Sequence, residues 1–323
     1  MNFKIPFVPE QASTLARDVD HLTFTLVGIS TFFTVLIAAM VLVFVVRYRR
    51  RSADEVGSNF DNSTLLEVTW TVVPLLIVLF TFAWGARIYF DLFRPPADAV
   101  QYYVTGKQWM WKTQHPTGQR EINELHVPVG QPTKLLMTSE DVIHSFYIPA
   151  FRTKADVLPG RYTSIWFEPT KPGRYHLFCA EYCGAEHSRM IGTIVVQSPE
   201  DYQKWLASVP VPQAPAAQGQ QLFTQLACTS CHQEGTERKG PALEGLFGSE
   251  VELADGRRVP ADEQYLRESI LSPGQKVVAG FQPVMPSFQG QLSEEGVVAL
   301  IEYIKSLPAD RTASNQLAEE AAR

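Results

Sequence analysis

The sequence predicts a multi-domain chain: a two-helix transmembrane hairpin, a β-sandwich or Greek-key domain, and an all-α C-terminal domain. Three observations carry that expectation. Two long apolar runs lie within the first 86 residues. Short β-rich runs separated by Pro/Gly turns fill residues 100–198. Helical periodicity takes over after residue 219.

The first run, Leu22–Val46, is 25 residues long and uncharged. At 1.5 Å per residue it crosses a hydrocarbon core of ~30 Å with some tilt. The second, Leu65–Ala86, holds one acid, Glu67, and one proline, Pro74. Proline is tolerated in membrane helices whose neighbours satisfy the freed carbonyl. The expected spans are 22–46 and 65–88, within an N-terminal unit of residues 1–95. Arg47-Tyr48-Arg49-Arg50-Arg51 opens the intervening loop, and arginines against a membrane end mark its cytoplasmic side. Both termini are then outside, in a bacterium on the periplasmic face of the inner membrane. The first twenty residues lack the apolar core of a cleavable signal peptide.

In residues 96–206 the runs QYYVTG, TKLLMTS, YTSIWFEP, RYHLFC and IGTIVVQ are β-rich and closely spaced. That spacing fits a sandwich or barrel. Residues 207–218, rich in Ala, Pro and Gln, are expected to be a linker. Residues 219–308 form the helical domain, and 309–323 a polar tail. In 293–307, Val297, Leu300, Ile301 and Ile304 share one helical face. Ser293 is placed to cap that helix, with Glu294 and Glu295 in its first turn. Net charge is −6, and all of it lies beyond residue 210. An acidic module of this kind argues against nucleic-acid binding.

The four cysteines fall in two tight pairs. Cys179, Cys183, His187 and Met190 stand within twelve residues, and soft sulfur with imidazole selects copper or zinc. A structural zinc site does not use a thioether. One cysteine, two histidines and an axial methionine make a mononuclear copper site; a second cysteine extends this to two bridged coppers and calls for a second histidine. His144, in Ser139-Glu140-Asp141-Val142-Ile143-His144, is that candidate. A zinc knuckle and a disulfide are the rival readings. Cys228-Thr-Ser-Cys231-His232 is the C-x-x-C-H haem-attachment pattern, whose main rival is a thioredoxin-like redox pair. Met285 is the one methionine after that motif and is the candidate sixth ligand, since Met/His ligation raises a haem potential. His21, His115, His126 and His176 lack ligand-like neighbours in sequence and are expected to be ordinary surface or strand histidines.

SEDVIHSF followed by CAEYCGAEHSRM resembles the dicopper (CuA) domain of cytochrome c oxidase subunit II, a cupredoxin fold. KGPALEGLFG and MPSF resemble class I cytochromes c, and the fusion resembles the caa type of haem–copper oxidase. The resemblance implies one copper on His144 and one on His187, bridged by Cys179 and Cys183, with Met190 a weak ligand and the Glu181 carbonyl the remaining contact. It implies magnesium at the Glu181 side chain, and Pro241 as the carbonyl orienting His232. Gln108-Trp109-Met110-Trp111 resembles the aromatic electron-entry patch, and a buried core aromatic is the competing reading. Lys154, Asp156 and Arg161 resemble the segment facing subunit I. Glu67 resembles a proton-pathway entrance, and an ionisable group within a span is costly enough to suggest function. The implied activity is electron entry through haem c, then through the dicopper centre to haem a of subunit I, where oxygen is reduced and protons are pumped. The implied partners are subunits I and III, a cytochrome c or respiratory-complex donor, and the bilayer. A free-standing membrane-anchored electron carrier is the alternative; it would need neither Glu67 nor the Lys154–Arg161 segment.

Overall fold

A computed structural model describes residues 8–57, 63–211, 214–232 and 239–308. The polar tail expected at 309–323 lies outside the described residues. Helix α1 (Ala16–Arg47) and helix α2 (Thr64–Phe93) form the hairpin. Both are long and apolar enough to cross a membrane, and their apolar windows are uncovered by protein. Both are longer than their apolar runs, for a physical reason. The first turns of α1 dock on the β-domain, with Ala16 and Asp20 buried there. The last turns of α2 do the same: Ile88 is buried, and the Trp166 indole donates to the Asp91 carbonyl at 2.9 Å.

Ten strands follow: β1 (Val100–Lys107), β2 (Met110–Gln114), β3 (Arg120–Ile122), β4 (Glu124–Pro128), β5 (Thr133–Ser139), β6 (His144–Ile148), β7 (Thr153–Val157), β8 (Thr163–Phe167), β9 (Gly173–Cys179) and β10 (Ile191–Gln197). They make two five-stranded sheets, ordered β3-β2-β1-β5-β8 and β4-β10-β9-β6-β7. The sheets enclose one core that includes Trp111, Phe146, Phe151, Phe167, Leu177 and Met190. An N-terminal strap closes one edge. Ala12 donates to the Ala150 carbonyl and Thr170 donates back to Ala12, at 3.0 and 2.9 Å. Asp20 accepts from Arg152 Nε and Nη2, each at 2.8 Å.

Helix α3 (Pro199–Ser208) ends the domain, capped by the Ser198 hydroxyl. Helix α4 (Pro215–Gln225) begins inside the stretch expected to be linker, with proline in its first turn. It ends before the haem motif: Ala227 is left-handed at φ 57°, and Cys228–Ser230 forms a separate 3₁₀ turn. A two-stranded hairpin follows, β11 (Glu250–Glu252) with β12 (Arg258–Pro260); three-residue strands give too little alternation to be read from sequence. Helices α5 (Glu263–Leu271) and α6 (Glu294–Ser306) complete the unit, with Val297, Leu300, Ile301 and Ile304 buried as the periodicity predicts.

Candidate metal centre and haem pocket

The sandwich brings His144 to the start of β6 beside Cys179 at the end of β9, and the β9–β10 connection adds Cys183, His187 and Met190. The two Sγ atoms lie 3.7 Å apart. Each sulfur has its own imidazole: His144 Nδ1 is 3.9 Å from Cys179, and His187 Nδ1 is 3.4 Å from Cys183. Each also has a further donor. The Glu181 carbonyl is 3.2 Å from Cys179, and the Met190 thioether is 3.7 Å from Cys183. Soft donors thus form two matched half-sites sharing a pair of sulfurs, a set suited to two copper ions. Burial pushes the Cys179 thiol up, but bonds to His144 and to nearby backbone groups outweigh it and leave Cys179 below an ordinary cysteine; burial and its neighbour Cys179 push Cys183 up.

The candidate ligand His144 is held from behind. His144 Nε2 donates to Asp141 Oδ1 at 2.8 Å, leaving Nδ1 toward the sulfurs. Asp141 is itself fixed by the Gln108 and Val142 amides, each at 2.7 Å. Such a carboxylate sets the tautomer and orientation of a ligating imidazole. Two glycines make room. A Cβ on Gly106 would stand 2.8 Å from His144 Cδ2, and one on Gly184, at φ +119°, would stand 2.9 Å from Gln108 Nε2.

The two tryptophans are placed differently. Trp109 is half-buried and donates from its indole to the Cys183 carbonyl at 3.3 Å. Trp111 is fully buried and meets His144 edge-on, ring centroids 5.8 Å apart. The Glu181 side chain is exposed, as are Lys154 and Asp156 on edge strand β7 and Arg161 after it. Glu67 is exposed in the first turn of α2.

In the C-terminal unit a cavity of ≈ 380 Å³ is lined by Cys228, Cys231, His232 and Met285 together with apolar side chains such as Leu266, Ile270 and Leu300. His232 Nδ1 donates to the Pro241 carbonyl at 2.9 Å, which leaves Nε2 for a metal. Gly240 permits this, since a Cβ there would be 2.7 Å from His232 Cε1. The donor set and the apolar lining fit a covalently attached haem with His/Met ligation.

Two histidines have the close polar partners that their sequence neighbours do not reveal, although His126 does lie on a strand, β4. His115 is fully buried, and His126 nearly so, stacked on Trp205 at 4.1 Å. Both donate to the Glu121 carboxylate, at 2.8 and 2.5 Å, and His115 Nδ1 accepts from the Tyr202 hydroxyl at 3.0 Å. Glu121, Glu124 and His126 are close enough to share a cation. No spacing in the sequence signals this group, because strand pairing and α3 assemble it. His21 and His176 are exposed, as expected.

The order of the three units agrees with comparisons to known proteins. Residues 2–85 match the transmembrane-domain model of cytochrome c oxidase subunit II, residues 119–199 the model of its periplasmic domain, and residues 216–308 the cytochrome c model. Cytochrome c oxidase subunit 2 of Alkalihalophilus pseudofirmus is 30% identical over 289 residues, spanning 85% of this chain and 82% of the relative. The chain belongs to the cytochrome c oxidase subunit II family. Within that family, an alternative cytochrome c oxidase subunit 2 from Bradyrhizobium diazoefficiens is 30% identical over 58% of this chain and 78% of its own. The crystal structure of the periplasmic domain of subunit II of the cytochrome oxidase of Bradyrhizobium japonicum is 30% identical, covers 36% of this chain and 96% of its own, and superposes with a TM-score of 0.35. Subunit II belongs to an oxidoreductase complex, and the cytochrome c domain that this chain carries at residues 216–308 gives it an electron-transfer role.

Proposed function

We propose that this subunit II takes electrons from an external donor onto haem c, held by Cys228, Cys231, His232 and Met285, and delivers them through a dinuclear CuA centre to haem a of subunit I. There oxygen is reduced and protons are pumped. His144, Cys179, Cys183, His187, Met190 and the Glu181 carbonyl would hold the copper pair, which supplies a delocalised one-electron carrier when bound. The single observation carrying the reading is the shared pair of sulfurs at 3.7 Å, each with one imidazole and one weaker donor. This chain's own residues do the rest. Asp141 and Gly106 set the angle of His144, and Pro241 does the same for His232.

The copper and haem domains lie on the periplasmic side of a bacterial inner membrane, with the arginine-rich turn Arg47–Arg51 cytoplasmic. What supports this is the positive-inside rule and the packing of the N-terminal strap on the copper domain. The exposed Lys154, Asp156 and Arg161 face subunit I, the Glu181 carboxylate offers magnesium an oxygen ligand there, and subunit III completes the partners. Trp109, at the rim of the copper loop, is the entry residue for electrons arriving from outside; Glu67 marks a proton-uptake entrance. The test is EPR with metal analysis on the purified chain. Two coppers and one haem per chain are expected, with hyperfine structure from two equivalent copper nuclei. A single-copper spectrum would sink the dinuclear assignment.

A further inference from the structure

The outer face of the sheet is shared: α2 covers Trp166 of β8, and the haem domain covers the part formed by β1, β2 and β5. Strand β1 therefore lacks the alternation of a half-exposed strand: Tyr102 and Val104 enter the sandwich core, while Tyr103 between them joins the haem domain's core with Leu136 and Tyr162. Around this small apolar seat lie polar contacts. The Tyr103 hydroxyl donates to Glu302, Gln101 Nε2 donates to Glu263 at 3.2 Å, and the Tyr162 amide donates to Gln264 at 2.6 Å. Arg267 lies over the Tyr162 ring, 5.7 Å from its centroid.

Among the described residues, Lys112 is the one charged bridge that reaches both cofactor domains. Its Nζ is 3.1 Å from Glu295, in the first turn of α6, and 2.7 Å from Glu140, which also pairs with Lys107 at 2.9 Å. Lys112 and Glu295 are only 28% and 27% exposed, so salt screens this pair less than a surface one. Burial pulls the Lys112 ammonium down, but its bonds to Glu140 and Glu295 outweigh that and hold it above an ordinary lysine. Glu140 belongs to the loop that carries Asp141 and His144, and its amide donates to the Gly106 carbonyl at 3.0 Å. Trp111, the next residue along β2, points the opposite way, against His144. In the haem domain, α5 and α6 turn Glu263, Glu295 and Glu302 to the seat, and Leu266, Leu300 and Ile304 to the haem cavity.

We propose that this face of β1 and β2 is a fixed docking seat for the haem domain of the same chain, locked by Lys112 between Glu295 and Glu140. The seat holds the haem and copper sites back to back across one helical layer and one sheet, and leaves the haem cavity's other side free for the donor. This rests on the cofactor reading above, yet the seat itself is tested without any electron transfer.

Hydroxyl-radical footprinting of the full-length, cofactor-loaded chain in detergent is the experiment. Tyr103 and Tyr162, 6% and 9% exposed, are expected to react nearly as slowly as core Tyr102 at 1%, and far more slowly than Tyr182 at 75%. Glu295→Lys sets two ammonium groups face to face; oxidation of Tyr103 and Tyr162 should rise about threefold or more while Tyr102 stays protected. A zero-length carbodiimide cross-link should join Lys112 to Glu295 in the parent. Labelling of Tyr103 and Tyr162 at the Tyr182 rate in the parent overturns the seat. So does a Glu295→Lys chain with both tyrosines still protected. A missing Lys112–Glu295 cross-link does too, when the exposed Lys204–Glu200 pair, 2.7 Å apart, is captured in the same sample. Copper and haem contents of that sample report the cofactor reading separately.

Discussion

Gly106→Ala is expected to damage the copper centre from behind, with every proposed ligand residue left in place. The added Cβ would sit 2.8 Å from His144 Cδ2 and 3.3 Å from both His144 Cγ and Trp111 Cζ3. Carbon atoms in good contact stand about 3.5–4.0 Å apart, so the imidazole must retreat by roughly 0.7 Å or more. Metal–ligand distances tolerate only about 0.2 Å. Retreat is opposed on the far side, because His144 Nε2 is bonded to Asp141 and that carboxylate is pinned by two amides. Overpacking of this sort costs about 1–3 kcal/mol. If that cost falls on the copper-bound state, affinity weakens by roughly fivefold to a hundred-and-forty-fold. The assay is copper content with EPR on the purified chain, using the haem spectrum as the check that the distant domain is intact. Substoichiometric copper, or hyperfine structure from unequal nuclei, is expected. A Gly106→Ala protein with the parent's copper content and spectrum would refute the claim that the missing side chain seats the histidine.

Three further outcomes follow from the same geometry. Gly184→Ala meets a left-handed backbone and Gln108 Nε2 at 2.9 Å, so it should also lower copper occupancy, read by metal analysis; full occupancy contradicts the tight fit. Met285→Leu keeps the volume but removes the thioether, so the haem midpoint potential should fall in a redox titration, and an unchanged potential removes Met285 as ligand. Burial pulls Glu121 up, but donors from His115 and His126 prevail and hold it at about 2, against an ordinary 4.5. A depressed carboxylate stabilises above its unfolded value and loses that stability as pH falls from 4.5 toward 2. The contribution is about 3 kcal/mol. Glu121→Gln should therefore flatten the acid limb of a melting-temperature profile, and superimposable parent and variant limbs below pH 4.5 would exclude the effect.

Much of the site was legible because its chemistry is written in short segments. Cys179 to Met190 is a single short segment, and C-x-x-C-H with Met285 picks out four residues that line one cavity, before any packing is known. The membrane hairpin was legible too, though its ends were not: Ala16–Asp20 and Ile88–Phe93 are helical because they pack on the β-domain, and apolar runs carry no trace of that. What stayed hidden depends on strands meeting. His115 and His126 look unremarkable in sequence because Glu121, Tyr202 and Trp205 reach them only after β2, β3, β4 and α3 assemble. Gly106 is silent for the same reason, since what it makes room for is a residue 38 positions later.

The Asp20–Arg152 clasp joins residues 132 positions apart and ties the first membrane helix to a loop of the copper domain. During synthesis Asp20 emerges long before its partner exists. Joining the ends of so long a segment carries a loop-closure cost that grows as about (3/2)RT ln n, which the clasp alone does not recover. The strap therefore closes only once the sandwich has folded around Phe151. Assembly of the subunit thus has an order: the hairpin inserts, the β-domain folds, and the N-terminus is fastened last. That final step fixes the start of α1 against the β-domain, so that helix and sandwich are joined at two points of the chain and not one.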